Sequence, residues 1–151
     1  MGAHAWSNRD IMINLIDCLI EHEGRARYAY EDTLGNITIG IGRNISQRSG
    51  KGLSLDEQMY LLNNDIVSCR NQLKSMPFYQ IQDDVRKDAL VEMCFNMGLP
   101  HLCCFRNMIS DLSEKLYESA VRSARESKWA TQISKARLDN ICYRLLHGAY
   151  P

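Results

Sequence analysis

The chain has 151 residues, 45% of them hydrophobic and 24% charged, and its formal net charge is zero. That length suits one domain with a buried core. Balanced charge gives no pull toward nucleic acid or a strongly acidic partner, and no run of 18 apolar residues occurs to span a membrane. The longest apolar stretch, Ile11 to Ile20, is broken by Asn14 and Asp17 and follows Asn8-Arg9-Asp10, which is not the pattern of a secretory leader. Trp6 stands where a myristoylation pattern needs Ser or Thr. A cytoplasmic location without an export route of its own is therefore expected. The cysteines Cys18, Cys69, Cys94, Cys103, Cys104 and Cys142 show no C-x-x-C and mostly sit among apolar neighbours, so they are expected to be reduced. A cluster of Cys94, His101, Cys103 and Cys104 lacks a recognised ligand spacing, and neither metal nor cofactor is expected.

The first helix is expected to start near Ser7, an N-cap with Asp10 three residues on, and to face a core with Ile11, Leu15, Cys18 and Leu19. Gly24 stops it and leaves Glu23 at its end. Asp32 follows, between Tyr30 and the turn Leu34-Gly35-Asn36. Thr38 then falls in Ile37-Thr38-Ile39-Gly40-Ile41-Gly42, whose alternation reads as a strand. The stretch from His22 to Arg43 thus reads helix end, strand, turn, strand, with Glu23, Asp32 and Thr38 at fixed offsets. Two carboxyls flanking a cleft are what hydrolysis of a glycosidic bond requires.

After a polar loop, Asn44 to Gly52, the capping box Ser54-Leu55-Asp56-Glu57 opens a long helix. Leu55, Met59, Leu62, Ile66, Cys69 and Leu73 form its apolar stripe, which ends near Ser75 before Pro77. Asp83 or Asp84 caps the next helix, which carries Val85, Ala89, Leu90, Met93 and Met97 on one face and closes at Gly98 and Pro100. Leu102 to Phe105 reads as a turn presenting an aromatic. Helices are predicted over Ser113 to Arg125 and from Ser134 onward, with Trp129 assigned to the core. Between Lys115 and Arg144 stand seven Lys or Arg against three acids. A solvated helical surface accounts for them better than a face for anionic polymer.

The run H-E-G, then Y-x-D-T-x-G, then T-I-G-I-G, resembles the phage-type lysozymes of the T-even bacteriophage kind, and R-x-x-A-L-x-x-M-x-F-N-M-G and S-K-W-A-T-Q are similar to later motifs of that family. The resemblance implies an α+β, mainly helical, two-lobed fold. A small β-hairpin lobe would span about 24–60, a long helix would join the lobes, and a larger helical lobe would come from 1–23 and 75–151, all in a single domain. It implies Glu23, Asp32 and Thr38 as the catalytic triad, with Glu23 the general acid, partly enclosed by the larger lobe, and Asp32 and Thr38 holding the water. Asn96 would lie near the cleft, or alternatively satisfy buried backbone groups; Phe105 is the presented aromatic. Arg137 would face the catalytic Glu, although it lies one residue off the family's spacing from Trp129. Arg43 replaces a histidine of the family pattern, and the matching acid is Asp65, so an Arg43–Asp65 ion pair is expected. The loop Asn44–Gly52 is shorter than in the archetype.

The implied activity is cleavage of the β-1,4 bond between N-acetylmuramic acid and N-acetylglucosamine in bacterial peptidoglycan by a monomer. Release through a holin-type pore, or service as a wall-degrading part of a larger machine, would suit a chain without its own export route. A lytic transglycosylase typically lacks the second carboxylate, which Asp32 supplies here. A catalytically silent wall-binding module would leave the triad free to decay, and all three members are present.

Overall fold

The computed structural model describes the backbone from Asn8 and side chains from Leu15 through to Pro151. The expected cap at Ser7 and the side chain of Ile11 lie outside what is described. The chain forms two compact units, Met1–Gln58 and Met59–Pro151.

The first unit opens with helix α1, Asn8–Glu23. Gly24 ends it in a left-handed conformation (φ +72°), its amide donating to the Ile20 carbonyl at 2.9 Å. Leu15, Cys18 and Leu19, expected to face a core, are exposed. Strands β1 (Ala26–Glu31), β2 (Ile37–Gly40) and β3 (Arg43–Asn44) form an antiparallel sheet in that order. Tyr30 pairs with Thr38 and Glu31 with Ile37, and the register shifts between Ala26 and Tyr30. Too short for the strand pattern to reveal, β3 is held by the pairs Thr38–Asn44 and Ile39–Arg43. The unit closes with the first turn of helix α2, Leu55–Leu73, where the capping box forms as read. Ser54 N donates to Glu57 Oε2 at 2.7 Å, and Glu57 N to Ser54 Oγ at 3.3 Å.

The second unit begins within α2. Cys69 and Leu73 are buried and Ile66 packs against the same core, whereas Leu55, Met59 and Leu62 of the predicted stripe are exposed. A short helix, α3 (Pro77–Gln80), precedes α4, Asp84–Met97, and Asp83 proves to be the cap of α4, accepting from the Arg86 amide at 3.0 Å. Gly98 closes α4 and α5 follows, Leu99–Leu102. Helix α6 runs over Arg106–Ser113, and the helix predicted over Ser113 to Arg125 is α7, Tyr117–Arg125, which begins four residues late because Lys115 lies between the two at φ +58°. A left-handed lysine cannot sit inside a helix, so α7 starts only after it, and the apolar period read through Leu116, Ala120 and Ala124 runs along α7 and its N-cap. A 3-10 turn, Lys128–Thr131, and helix α8, Lys135–His147, complete the unit.

Helix α4 is the centre of this core. Ala89, Leu90 and Met93 are fully buried beside Leu73, Leu102, Met108, Leu112, Ile141 and Leu145. Burying one such side chain contributes roughly 1.5–3 kcal/mol. Arg86 locks α4 to its neighbours: Nε and one terminal nitrogen donate to the carbonyls of Leu145 (2.8 Å) and Leu146 (2.7 Å) at the end of α8. Its guanidinium also lies 3.6 Å from the Tyr117 ring centroid. These bonds satisfy helix-end carbonyls that would otherwise lack partners.

Candidate active site

All three residues of the proposed triad belong to the first unit. Glu23 is the last residue of α1, and its side chain is exposed. Its carboxylate lies against the backbone at Gly42, where an added Cβ would stand 2.4 Å from Oε2 and 2.7 Å from Cδ.

Asp32 sits at the entrance of the β1–β2 turn, which is closed by Asp32 N on the Asn36 carbonyl (2.8 Å) and Gly35 N on the Asp32 carbonyl (3.0 Å). Oδ1 accepts from the amides of Leu34 (2.9 Å) and Asn36 (2.8 Å), and Oδ2 accepts from Asn36 Nδ2 (3.2 Å). The Asn36 amide is the main reason Asp32 lies below its ordinary carboxylate value; partial desolvation works the other way. The Leu34 amide, the Asn36 side chain and the Thr38 hydroxyl add to the lowering. Thr38 is the buried residue of β2, 4% exposed. A fixed, ionised carboxylate beside a buried hydroxyl is an arrangement that can hold and deprotonate a water.

The short loop serves this carboxylate. Ser49 Oγ donates to Asn36 Oδ1 at 2.9 Å, and Asn44 Nδ2 donates to Ser49 Oγ at 3.3 Å. Ser46 Oγ accepts from the Ile37 amide at 2.7 Å. Asn36 therefore stands between Asp32 and the loop. Its place in a turn was visible in the sequence, but not its second partner, because a contact over 13 residues leaves no periodic trace.

Arg43 corrects an expectation. Its fork closes on Glu57, at 2.6 and 2.9 Å, and on the Gly52 carbonyl, at 3.0 and 2.8 Å, rather than on Asp65. Glu57 is already drawn back toward Ser54 by the capping box, so it presents both oxygens to a planar guanidinium. Asp65 lies eight residues further along α2, a rise of about 12 Å.

The second unit holds the remaining predicted residues. Asn96, in the last turn of α4, accepts the Trp129 indole N–H at 2.8 Å. It satisfies a buried side chain rather than backbone. Phe105 meets the Trp129 ring edge-on at 6.0 Å. Trp129 is buried as expected, and one face of the group borders an open pocket of about 520 Å³ with His101, Arg106 and Lys128 on its wall. Arg137 Nε donates to Glu92 Oε1 at 3.0 Å, and Arg144 takes the other oxygen of Glu92. Sequence reasoning missed Glu92, which falls at an unspecified position of the R-x-x-A-L-x-x-M-x-F-N-M-G run on α4. Three of the six cysteines, Cys69, Cys94 and Cys142, are buried and none forms a disulfide. Among the described residues no group of three His, Cys, Asp or Glu side chains is placed to hold a metal ion.

This arrangement, with a glutamate at a helix end before a small antiparallel sheet and a helical unit after it, is that of a lysozyme-type glycoside hydrolase. A phage lysozyme family model matches residues 20–144, and the chain belongs to that family. Among similar proteins, "Probable T4-type lysozyme 1" of Dictyostelium discoideum is 27% identical over 143 residues, covering 77% of this chain and 84% of its own. "Probable T4-type lysozyme 2" of the same organism is 29% identical, covering 81% and 88%. The "Pre-baseplate central spike protein Gp5" of Enterobacteria phage T4 is 25% identical, over 90% of this chain but only 28% of its own length. The chain is thus a peptidoglycan hydrolase, mainly helical with a small sheet. No helix among the described residues is long and apolar enough to cross a membrane.

Proposed function

We propose that the chain cleaves the β-1,4 bond between N-acetylmuramic acid and N-acetylglucosamine, with Glu23 as general acid and Asp32 and Thr38 positioning the attacking water. The observation that carries this reading is the Asp32 carboxylate, fixed by three hydrogen bonds and held ionised beside the Thr38 hydroxyl. As the leaving oxygen takes a proton from Glu23, positive charge grows on the sugar ring, and a water deprotonated toward Asp32 attacks the opposite face. A hydroxyl beside the carboxylate suits a held water; direct attack by the carboxylate has no use for it. The reaction accordingly inverts the anomeric centre.

Asn96 and Phe105, ordered by Trp129, are the candidates for contact with the glycan or its peptide, and Arg137 is a supporting cation. In this reading residues 24–60 form a small lobe, and residues 1–23 with 75–151 the larger one. The protein acts as a monomer, accumulates in the cytoplasm and reaches the wall through a holin-type pore.

The test is digestion of purified peptidoglycan. Mass spectrometry should find ordinary reducing ends at muramic acid. Fragments one water lighter would indicate a transglycosylase, and intact strands a binding module. Proton NMR read before mutarotation should show the α-anomer first; a β-anomer first would remove the water-holding role of Thr38.

A further inference from the structure

We propose that Gly42 is a positioning residue for Glu23: the side chain it lacks is the space the carboxylate occupies. The inference rests on the reading of Glu23 as the acid. An added Cβ at Gly42 would stand 2.4 Å from Oε2, 2.7 Å from Cδ and 3.0 Å from Cγ of Glu23. No real carbon approaches that closely, so one of the two partners must move.

The backbone at residue 42 is not the partner free to yield. Gly42 has φ +66°, a conformation that glycine alone adopts without strain. Its neighbour Arg43 is paired with Ile39 across the sheet and pinned by its fork to Glu57 and the Gly52 carbonyl. The Glu23 side chain, exposed and at the end of α1, is the movable one. A methyl group at residue 42 therefore displaces the proton donor while leaving Asp32 and its hydrogen bonds in place. Misplacing a reacting group by about 1 Å can cost on the order of 100-fold in rate.

Gly40 supplies the control. It ends β2, two residues before Gly42, and also has a positive φ, +69°, but an added Cβ there meets nothing within 4 Å. Gly40→Ala and Gly42→Ala both put an L side chain at positive φ, and only the second puts a carbon on the carboxylate.

Kinetics on soluble glycan strands should show kcat of Gly42→Ala reduced roughly 10- to 100-fold with KM within about twofold, while Gly40→Ala keeps kcat within about twofold. The carboxyl carbon resonance of Glu23 should shift in Gly42→Ala and stay in place in Gly40→Ala. Equal kcat in the two variants, or an unmoved Glu23 resonance in folded Gly42→Ala, overturns the proposal. Should Gly42→Ala fail to fold, Glu57→Gln serves instead, because it loosens the Arg43 clamp without adding a carbon at residue 42. There the Glu23 resonance should move and kcat should fall with KM held, and no change in either overturns the proposal. Glu23→Gln separates the two levels. Retained activity in that variant overturns the acid assignment, whereas an inactive Glu23→Gln beside matching Gly42→Ala and Gly40→Ala overturns only the role of Gly42.

Discussion

The two units are held together by different physics. In the second, a core built around α4 buries Leu73, Leu90, Met93, Leu112 and Leu145 completely. In the first, Thr38 is the only buried residue among those whose side chains are described. The sheet, the turn and the loop are instead tied by short hydrogen bonds and by glycines at positive φ. Burial is non-directional and tolerates small shifts, whereas hydrogen bonds fix angle as well as distance. A unit that must orient two carboxylates and a hydroxyl gains more from the second kind of force. Changes in the first unit should therefore alter chemistry more than stability, and changes in the second the reverse.

Glu23→Gln tests the contrast hardest. Turbidity loss of permeabilised cells should slow by about 100-fold or more while the melting temperature stays put. Near-normal lysis would leave the acid elsewhere. Leu90→Ala should do the opposite, lowering unfolding free energy by roughly 2–5 kcal/mol in a denaturant titration with kcat per folded molecule unchanged.

Asn36→Ala sharpens the comparison within the first unit. Asp32 is depressed below its ordinary value of 3.8, so its contribution to stability is present above that value and lost as pH falls through the depressed one. Without the Asn36 side chain the depression shrinks, and the acid limb of the activity profile should move up in pH. An unmoved limb would mean that the backbone amides alone set the charge of Asp32.

Arg43→Lys has the smallest expected effect. The pair with Glu57 is about one-third exposed on each side, 34% and 39%, so losing the bidentate fork should lower the melting temperature only slightly. A larger loss in thermal unfolding would show the clamp supporting more than the loop and the turn at Gly42.

What the sequence disclosed follows from the range of each force. The Gly24 stop, the Ser54 capping box and the Asp83 cap act within four residues; the first two are found as read, and Asp83 is the one of its two candidates that caps. The turn around Gly35 and the strand carrying Thr38 were legible for the same reason. Arg43 with Glu57, Ser49 with Asn36 and Arg137 with Glu92 join residues 13 to 45 apart, and no local period encodes them. Apolar spacing also shows only that a face is apolar. Leu62 and Leu73 share one stripe on α2, yet one is exposed and the other wholly buried. The helix expected over Ser113 to Arg125 ends where read but starts only at Tyr117, because Lys115 turns left-handed, a reversal that composition does not mark.

Asn36 makes the loop more than a connector. One of its ends touches the carboxylate and the other receives a hydroxyl from Ser49, out on the loop between Asn44 and Gly52. Insertions or deletions in that loop change how firmly Asn36 is aimed, and with it how acidic a medium Asp32 tolerates before it protonates. Acid tolerance is thereby adjustable from a surface segment, without any substitution among the residues that touch the sugar.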